Sequence, residues 1–535
     1  MGVETGFKLG PAIILAIVLA CFVGIGVGHK AKDQDDYWAA GRGIGRIGAG
    51  AAIASNWMSA ASFLGMAGLL YLKGYFALAY ILGWTGGYVM LLVLMAGQIR
   101  RFGKYTAADF IGDRFESQGA RIIAALTAII ISLTYSIAQY KGIALMFSWV
   151  FGFNYATSVI VGTAVVLAYI IIAGMLGATK NMQFQYVIII TAFIFPLVFI
   201  ARKLGYFFLI PEIGYGAAVY DIGNLYANAA NIGKGAATAI APELAEQIAA
   251  ANVKYVAPWG VSGTYKWIAL CFTMMVGTAG LPHVLSRFYV VPNTRDARWS
   301  VVWGLFFIGL LYWSSPAYAA FARVMAAKAG MVPKKELADA IVVLAAERAG
   351  LPQWFCGYLA AGAISAAFST VSGLLLAAGS AASHDIYYRV INPNASENAR
   401  MMVSKVAVFA LGLIVIAFAL KPFALIAQIV AMAFAIAGNT IFPTFLLGVW
   451  WSRSNKYGCI AGMLVGLFLT AFFFFWGKGA GKGTWLSELI PFTSSSLILM
   501  PVAFFTNIIV SMATEPPSVE IRKYLCEKVH GVKYE

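Results

Sequence analysis

The chain alternates between long apolar runs and short polar connectors, and this alternation predicts the fold. A helix of about 20 apolar residues crosses the hydrocarbon core of a bilayer, which is about 30 Å thick. Thirteen runs reach or approach that length. They lie near 9–28, 48–72, 77–98, 121–150, 155–176, 182–204, 266–290, 299–325, 353–384, 401–419, 423–450, 457–477 and 494–512. The pattern predicts an all-α polytopic membrane protein with about thirteen transmembrane helices, folded as a single transmembrane domain over residues 1–535.

The connectors predict how the chain is oriented in the membrane. Lys and Arg concentrate in alternate connectors, near 30–46, 100–114 and 287–298, and again in the tail at 513–535. Short connectors rich in Lys and Arg remain in the cytoplasm. We therefore expect a multi-pass protein of the cell membrane, with its amino terminus outside and its tail in the cytoplasm. That orientation requires an odd number of spans, in agreement with thirteen.

Composition supports this class and argues against several functions. The chain is 61% hydrophobic and 11% charged, whereas soluble proteins carry roughly 25% charged residues. The net charge of +16 follows from the basic connectors, so nucleic acid is not an expected partner. Neither G-x-x-x-x-G-K-[ST] nor G-x-S-x-G occurs, so we expect neither ATP-driven transport nor an enzyme.

Residue spacing gives little support for metal or redox chemistry. The five cysteines form no Cys-x-x-Cys pair, and no His/Cys/Asp/Glu cluster has the spacing of metal ligands. His283 and His384 lie near span ends and are interpreted as structural. We expect no cofactor and no transition-metal site.

Two predicted spans contain residues that interrupt a helix. The second span carries a polar, small-residue segment at 55–65, and the seventh contains Gly277-Thr-Ala-Gly-Leu-Pro-His283. Proline removes a backbone donor, and interrupted helices are tolerated in a membrane where they are buried in protein or line a cavity. Broken helices in matching positions of two halves indicate a binding site near the membrane midplane. The alternative is that these small residues only allow close helix packing.

The two breaks also predict an internal repeat. With the first helix outside the repeat, 48–204 and 266–450 form two five-helix units, and each unit begins with a broken span. Two further helices lie at 457–512. The long loops at 205–265 and 326–352 hold either short helices that cover the outer mouth or plain connectors.

The ninth span offers hydroxyl groups on one face. Ser365, Ser369 and Ser372 lie at i, i+4 and i+7, with Thr370 beside them. Hydroxyls and free backbone carbonyls are hard oxygen ligands of the kind a sodium ion requires. The alternative is that these hydroxyls bond to their own backbone or to a neighbouring helix.

Lys141 is a rare charge within a span. An ammonium in the membrane is costly unless it faces a cavity or a partner, and no acidic residue lies centrally in any span. This arrangement favours an anionic solute. Tyr135 and Gln139 share a face of the fourth span, and Lys141 points away from them. Lys141 contacts the solute, snorkels to the membrane surface or serves packing.

At these residues the chain resembles the sodium:solute symporter family, and within it the acetate permease (monocarboxylate) branch. The matching segments follow in order between about 35 and 455, at 58–65, 277–283 with Arg287-Phe288, 383–387, and 433–437 leading to Phe442-Pro443. The resemblance implies a LeuT-type inverted repeat of 5+5 helices with one extra amino-terminal and two extra carboxyl-terminal helices. It also implies transport by alternating access.

The resemblance further implies an ion site and a solute pocket. The sodium ligands would be the carbonyls of Ser55, Met58 and Ala366 and the hydroxyls of Ser369 and Thr370. The pocket would be lined by Trp57, Ser59, Ser62, Trp84, Tyr135, Gln139 and Met274, and the charge pattern adds Lys141 as a further candidate. Many members carry Thr-Asp-x-x-Gln near the sixth span, where this chain has Thr179-Lys180-Asn-Met-Gln183. Lys180 replaces an Asp that could help release the cation, which leaves proton coupling open.

The sequence thus predicts a secondary transporter that moves a small monocarboxylate, such as acetate, pyruvate or propionate, together with sodium. The alternatives are the same fold carrying a sugar, an amino acid or a compatible solute, coupling to protons, and a non-transporting sensor. The tail of about twenty residues argues against the sensor. The expected partners are Na⁺, the organic anion and the lipid bilayer, and no oligomeric state is predicted.

Overall fold

The computed structural model describes residues 6–29, 36, 38, 40–103, 105–236, 238–257, 259 and 262–533. Every regular element among these residues is a helix, which confirms the predicted class. The longer helices are Leu9–Gly28, Arg46–Trp57, Met66–Lys73, Leu78–Leu94, Gln118–Phe151, Tyr155–Leu204, Gly263–Gly280, Thr294–Lys328, Gln353–Ser380, Glu397–Ala419, Ile426–Asn439, Ile441–Trp450, Lys456–Lys478 and Ser496–Ala513.

All thirteen predicted spans coincide with helices, although fewer of these helices are long and apolar enough to cross a membrane. Among the described residues, ten helices are long and apolar enough to cross a membrane, or eleven when a bent pair is counted as one span. The difference from thirteen has two causes. The fifth span, Tyr155–Ile171, is short, and the second span runs into the third as the continuous segment Ala61–Leu94.

Both predicted breaks are present. The first part of the second span ends at Trp57, Met58 leaves helical geometry at φ −69° and ψ 71°, and the span resumes through a π turn at Ala61–Gly65. The seventh span ends at Gly280, and the next helix begins at Pro282 after a bend of 50°. Proline fits the first position of a helix because its missing N–H would have no partner there.

Gly174 produces a third break that the apolar pattern did not indicate. Its φ of 57° and ψ of −165° lie in a region that essentially only glycine adopts. The sixth span therefore begins at Gly174, so the predicted start at 182 is wrong. Lys180 consequently lies within this helix, about two turns after its beginning.

The bundle has two distinct ends. We call the end formed by 205–262 and 326–352 the loop end, and the end formed by 96–118, 285–298 and 383–396 the basic end. The long loops contain short helices, Pro211–Asn224, Pro242–Val256, Lys335–Ala338 and Ile341–Arg348, so the plain-connector alternative is wrong. Residues 341–346 are buried, which makes this loop part of the packed structure.

The ninth span lies at the centre of the bundle. The most apolar stretch of Gln353–Ile391 is entirely buried inside the protein, whereas 22% of the residues in the corresponding stretch of Glu397–Ala419 are buried. Gly373 lets the ninth span approach the second, because a Cβ at this position would lie 2.1 Å from Oδ1 of Asn56. The hydroxyl face of the ninth span is thereby placed against the break in the second.

Candidate ion and solute site

The hydroxyls of Ser369 and Thr370 meet the backbone of the second span just before its break. Ser369 Oγ donates to the Ser55 carbonyl at 2.6 Å and to the Ala366 carbonyl at 2.9 Å. Thr370 Oγ1 donates to the Asn56 carbonyl at 2.8 Å and to the Ala366 carbonyl at 3.1 Å. The structure therefore brings together Ser55, Ala366, Ser369 and Thr370, four of the five residues predicted for the ion.

Met58, the fifth predicted ligand, is placed differently. It is buried within the break, and no donor in the described part of the chain hydrogen-bonds to its carbonyl. Thr370 contacts Asn56, a neighbour that was not predicted. The backbone around the break thus presents several carbonyl oxygens close to two hydroxyls.

The other hydroxyls of the ninth span follow the alternative interpretation. Ser365 donates to the Ala361 carbonyl and Ser372 to the Phe368 carbonyl, both at 2.7 Å and both within their own helix. The shared face predicted from spacing is therefore divided. The hydroxyls of Ser369 and Thr370, in contrast, donate to backbone carbonyls of the second span.

The oxygen cluster carries no carboxylate. The buried acids among the described residues, Asp109, Asp339 and Asp385, lie toward the two ends of the bundle. Carbonyl and hydroxyl oxygens can replace the hydration shell of an alkali cation. The arrangement therefore suits a monovalent cation, which requires no buried counter-charge from the protein.

A group of polar and aromatic side chains surrounds the same break. We call Trp57, Ser59, Ser62, Trp84, Tyr135 and Gln139 the central cluster. The Ala60 amide donates to Gln139 Oε1 at 2.8 Å, and Tyr135 Oη donates to Ser59 Oγ at 3.4 Å. The Trp57 and Trp84 rings meet edge to face at 6.2 Å. Each member is at most 2% exposed, so the cluster is closed to solvent in this structure.

Met274 supports the cluster from the seventh span. It is fully buried, and a Cβ added to Gly83 would lie 2.5 Å from the Met274 Cβ. This close approach fixes Met274 beside the third-span segment that carries Trp84. The predicted pocket residues other than Lys141 are therefore gathered around the two breaks.

Four neighbours of the central cluster were missed. Tyr88 packs on Trp57 with ring centroids 4.8 Å apart, and Phe434 lies 5.5 Å from Trp57. Tyr312 hydrogen-bonds to Ser62 at 2.8 Å, and the His283 ring lies 5.6 Å from that of Tyr135. An aromatic residue in an apolar run looks the same whether it lines a site or fills a core, so the sequence offered no distinguishing signal.

The central cluster contains nitrogen donors that are unused, among them Trp84 Nε1 and Gln139 Nε2. Within the described part of the chain, neither Trp84 Nε1 nor Gln139 Nε2 has a hydrogen-bond partner, although both are buried. Leaving a buried donor unsatisfied costs about 1–3 kcal/mol. The two donors suit a bound molecule that brings its own acceptors.

Lys141 has a partner that the sequence did not reveal. Its Nζ lies 2.6 Å from Asp339 Oδ2 and 3.0 Å from the Ala424 carbonyl. Asp339 Oδ2 also accepts the Ile426 amide at 3.2 Å. The expectation that no acid neutralises Lys141 is therefore wrong, because Asp339 comes from the loop at 326–352. The contacts of Lys141 are at the loop end, and they lend no support to its place among the solute ligands.

Breaking this pair should destabilise the protein without removing the solute site. Removing one partner of a buried ion pair costs about 3–5 kcal/mol, so Asp339→Asn should markedly lower the thermal unfolding temperature. The double variant Lys141→Met/Asp339→Leu should regain most of that loss, since no unpaired charge remains. Loss of uptake in a stable double variant would contradict a purely structural role and restore Lys141 as a solute ligand.

The structure also assembles a buried group at the basic end that residue spacing had concealed. Potential ligand atoms of Asp109, His384 and Asp385 all lie within 4.8 Å of one another, a spatial group that spacing along the sequence did not predict. The carboxylates already have protein partners. Asp109 pairs with Arg121 at 2.6 Å, and Asp385 accepts a hydrogen bond from Thr106 at 2.8 Å.

Asp109 is held ionised by its neighbours. Burial alone would raise the pKa of Asp109, but the hydrogen bond with His384 and electrostatic attraction to His384, Arg121 and Arg389 hold it below its usual value. The group thus joins the connector helix Ala107–Arg114 to the end of the ninth span. Its contacts support a structural assignment.

Solved structures with this fold are transporters. The chain is similar to a Na⁺-coupled sialic acid symporter in a substrate-bound outward-open state, with a TM-score of 0.73 and 16% identity over 96% of this chain and 100% of that one. It is also similar to MHP1, a nucleobase-cation-symport-1 family transporter, with a TM-score of 0.51 and 12% identity over 91% and 97%. The fold is therefore the LeuT-type inverted repeat.

Comparison with models of protein families identifies the family of the chain. Residues 37–466 match the sodium:solute symporter family, and the chain belongs to that family. An uncharacterized symporter of Cupriavidus necator is 29% identical, covering 94% of this chain and 91% of its own. Family and fold together support sodium-coupled symport as the activity.

Proposed function

We propose that this chain carries a small monocarboxylate across the cell membrane together with sodium. The observation that carries the proposal is the unused pair of donors, Trp84 Nε1 and Gln139 Nε2, in a buried aromatic cluster. A carboxylate brings acceptor oxygens for such donors, and the aromatic rings suit a short apolar tail. The absence of buried acids around the cluster in the described residues also favours an anion.

In this proposal, sodium binds between Ser369, Thr370 and the carbonyls of Ser55, Met58 and Ala366. The ion site and the central cluster share one short segment, because Ser55 precedes Trp57 by two residues. A cation that draws the Ser55 and Met58 carbonyls together therefore sets the position of the Trp57 side chain. Because binding at the two sites is linked, sodium and solute each raise the affinity for the other by the same factor.

The transport cycle follows from the two broken spans. The units 48–204 and 266–450 move against each other around a site near the midplane, which opens alternately to each side. The amino terminus lies outside and the tail in the cytoplasm, in keeping with the basic connectors. The closed central cluster corresponds to an occluded step of that cycle.

Uptake of labelled acetate into proteoliposomes tests the proposal. With an inward sodium gradient, we expect accumulation above equilibrium, and with an inward proton gradient alone we expect none. Accumulation driven only by protons would retain the solute and overturn the sodium site. Absence of acetate accumulation under either gradient would overturn the monocarboxylate assignment.

A second candidate function keeps the fold and changes the solute. The hydroxyls of Ser62 and Tyr312, 2.8 Å apart, offer donors and acceptors that a sugar or an amino acid can also use. A competition panel separates the two candidates. Inhibition of uptake by propionate and pyruvate, but not by neutral sugars or proline, is the expected result.

A further inference from the structure

Arg287 is a buried cation without an anionic partner. It is 2% exposed, and no carboxylate in the described part of the chain lies within ion-pair distance of it. Its Nη1 donates to Thr179 Oγ1 at 3.2 Å and contacts Met175 Sδ at 3.5 Å. Its Nε and Nη2 have no hydrogen-bond partner among the residues that the structure describes. A buried charge is costly unless it is paired, so this guanidinium is suited to an incoming anion.

Its location connects it to the central cluster. Arg287 follows the break in the seventh span, and His283 lies one helical turn before it. The His283 ring lies 5.6 Å from that of Tyr135, and both of its nitrogens are buried without a hydrogen-bond partner in the described ranges. Tyr88, whose ring packs on Trp57, lies within electrostatic range of Arg287. Arg287 therefore lies next to the cluster, on the side of the basic end.

A second cationic residue lies one position after the hydrogen-bond partner of Arg287. Lys180 directly follows Thr179, the hydrogen-bond partner of Arg287. It is half-buried, and it forms no ion pair with any residue that the structure describes. The inner half of the seventh span thus carries a buried cationic side chain whose Nε and Nη2 have no partner in the described part of the chain.

We propose that Arg287 forms a second anion position, which binds the solute's carboxylate after it leaves the central cluster toward the basic end. The guanidinium fork matches the two oxygens of a carboxylate, and Nε and Nη2 form one edge of that fork. His283 supplies a further donor or acceptor at the boundary between the two positions. This inference rests on the proposed function for the identity of its ligand, but it concerns residues outside the central cluster.

Binding of labelled acetate to the purified full-length protein, counted per chain, tests the proposal. We expect two acetate molecules per wild-type chain. Arg287→Gln should lose one of them, or bind it at least tenfold more weakly, and keep the other. Arg287→Lys should keep part of the lost binding, which shows that the fold survives substitution at this position.

The outcomes separate this inference from the proposed function. Gln139→Glu should remove acetate from the central cluster and leave the Arg287-dependent molecule bound. If acetate is not transported but one molecule still depends on Arg287, the solute assignment fails and the anion position stands. Acetate binding unaffected by Arg287→Gln, or no acetate binding at all, overturns the anion position. Displacement of that molecule by chloride as readily as by propionate overturns its assignment to a carboxylate, and unlabelled acetamide should displace neither.

Discussion

The double substitution Ser369→Ala/Thr370→Ala should raise the sodium concentration needed for half-maximal uptake by at least tenfold. The two hydroxyls are the side-chain oxygens of the proposed ion site, and each reaches the second span, at 2.6 Å for Ser369 and 2.8 Å for Thr370. A tenfold change in affinity corresponds to about 1.4 kcal/mol of binding free energy, which is a small loss when two oxygen ligands are removed. Because solute binding is linked to ion binding, the apparent acetate affinity at a fixed sodium concentration should also fall.

The ninth span supplies a matched control. Ser365→Ala removes a buried hydroxyl from the same helix, but this hydroxyl bonds only to the Ala361 carbonyl of its own helix. The sodium concentration for half-maximal uptake by this variant should stay within about twofold of wild type. The lost hydrogen bond contributes about 1 kcal/mol to folding stability, and it is not part of the proposed ion site. Unchanged sodium affinity in the double variant, with normal expression, would remove the ion site from Ser369 and Thr370.

The proposed ion site shows which long-range contacts a sequence can reveal. Ser369 and Thr370 lie 314 residues from the carbonyls they contact, yet polar residues in an apolar run marked both segments. The breaks at Met58 and Pro282 were also predictable from the sequence, because proline, glycine and clustered small residues have direct effects on helix geometry. The exact backbone partner could not be predicted, because Thr370 donates to the carbonyl of Asn56 and not to that of Met58.

Other contacts left no local trace. Lys141 pairs with Asp339 across 198 residues, and Asp339 lies in a loop whose polarity looks ordinary. Asp109 and His384 are 275 residues apart, so no rule of ligand spacing could join them. Gly174 breaks the fifth and sixth spans through its positive φ, but a single glycine among apolar residues is more often a packing position. These features follow from tertiary packing, which decides among many chemically equivalent candidates.

Gln139→Glu should nearly abolish acetate uptake at neutral pH, with a loss of about a hundredfold. Gln139 Oε1 accepts the Ala60 amide at 2.8 Å, exactly where the second span resumes, and a glutamate can still accept that bond. The substitution therefore preserves the break but replaces the free Nε2 donor with a negative charge. In a buried site, repulsion between this charge and a carboxylate is strong, whereas a sodium ion would be attracted. Sodium affinity should be unchanged or higher.

The pH dependence of this variant gives a second, independent measure. Burial raises the pKa of an introduced carboxyl group, because desolvation disfavours its charged form. As the pH falls through that raised pKa, the glutamate becomes neutral and regains a donor, so uptake relative to wild type at the same pH should recover. A cargo without negative charge would show little repulsion by the ionised glutamate, and its uptake would not recover in this way.

Gln185→Glu is the control for burying a carboxylate anywhere in the bundle. Gln185 is also fully buried, and in the described part of the chain its side-chain amide has no hydrogen-bond partner, but it belongs to the sixth span and not to the central cluster. If repulsion at the solute site is the cause, Gln185→Glu should affect stability more than the acetate concentration for half-maximal uptake. Equal loss of acetate affinity in the two variants would mean that Gln139 acts through the fold, and the donor that carries the proposed function would have to be sought elsewhere in the cluster.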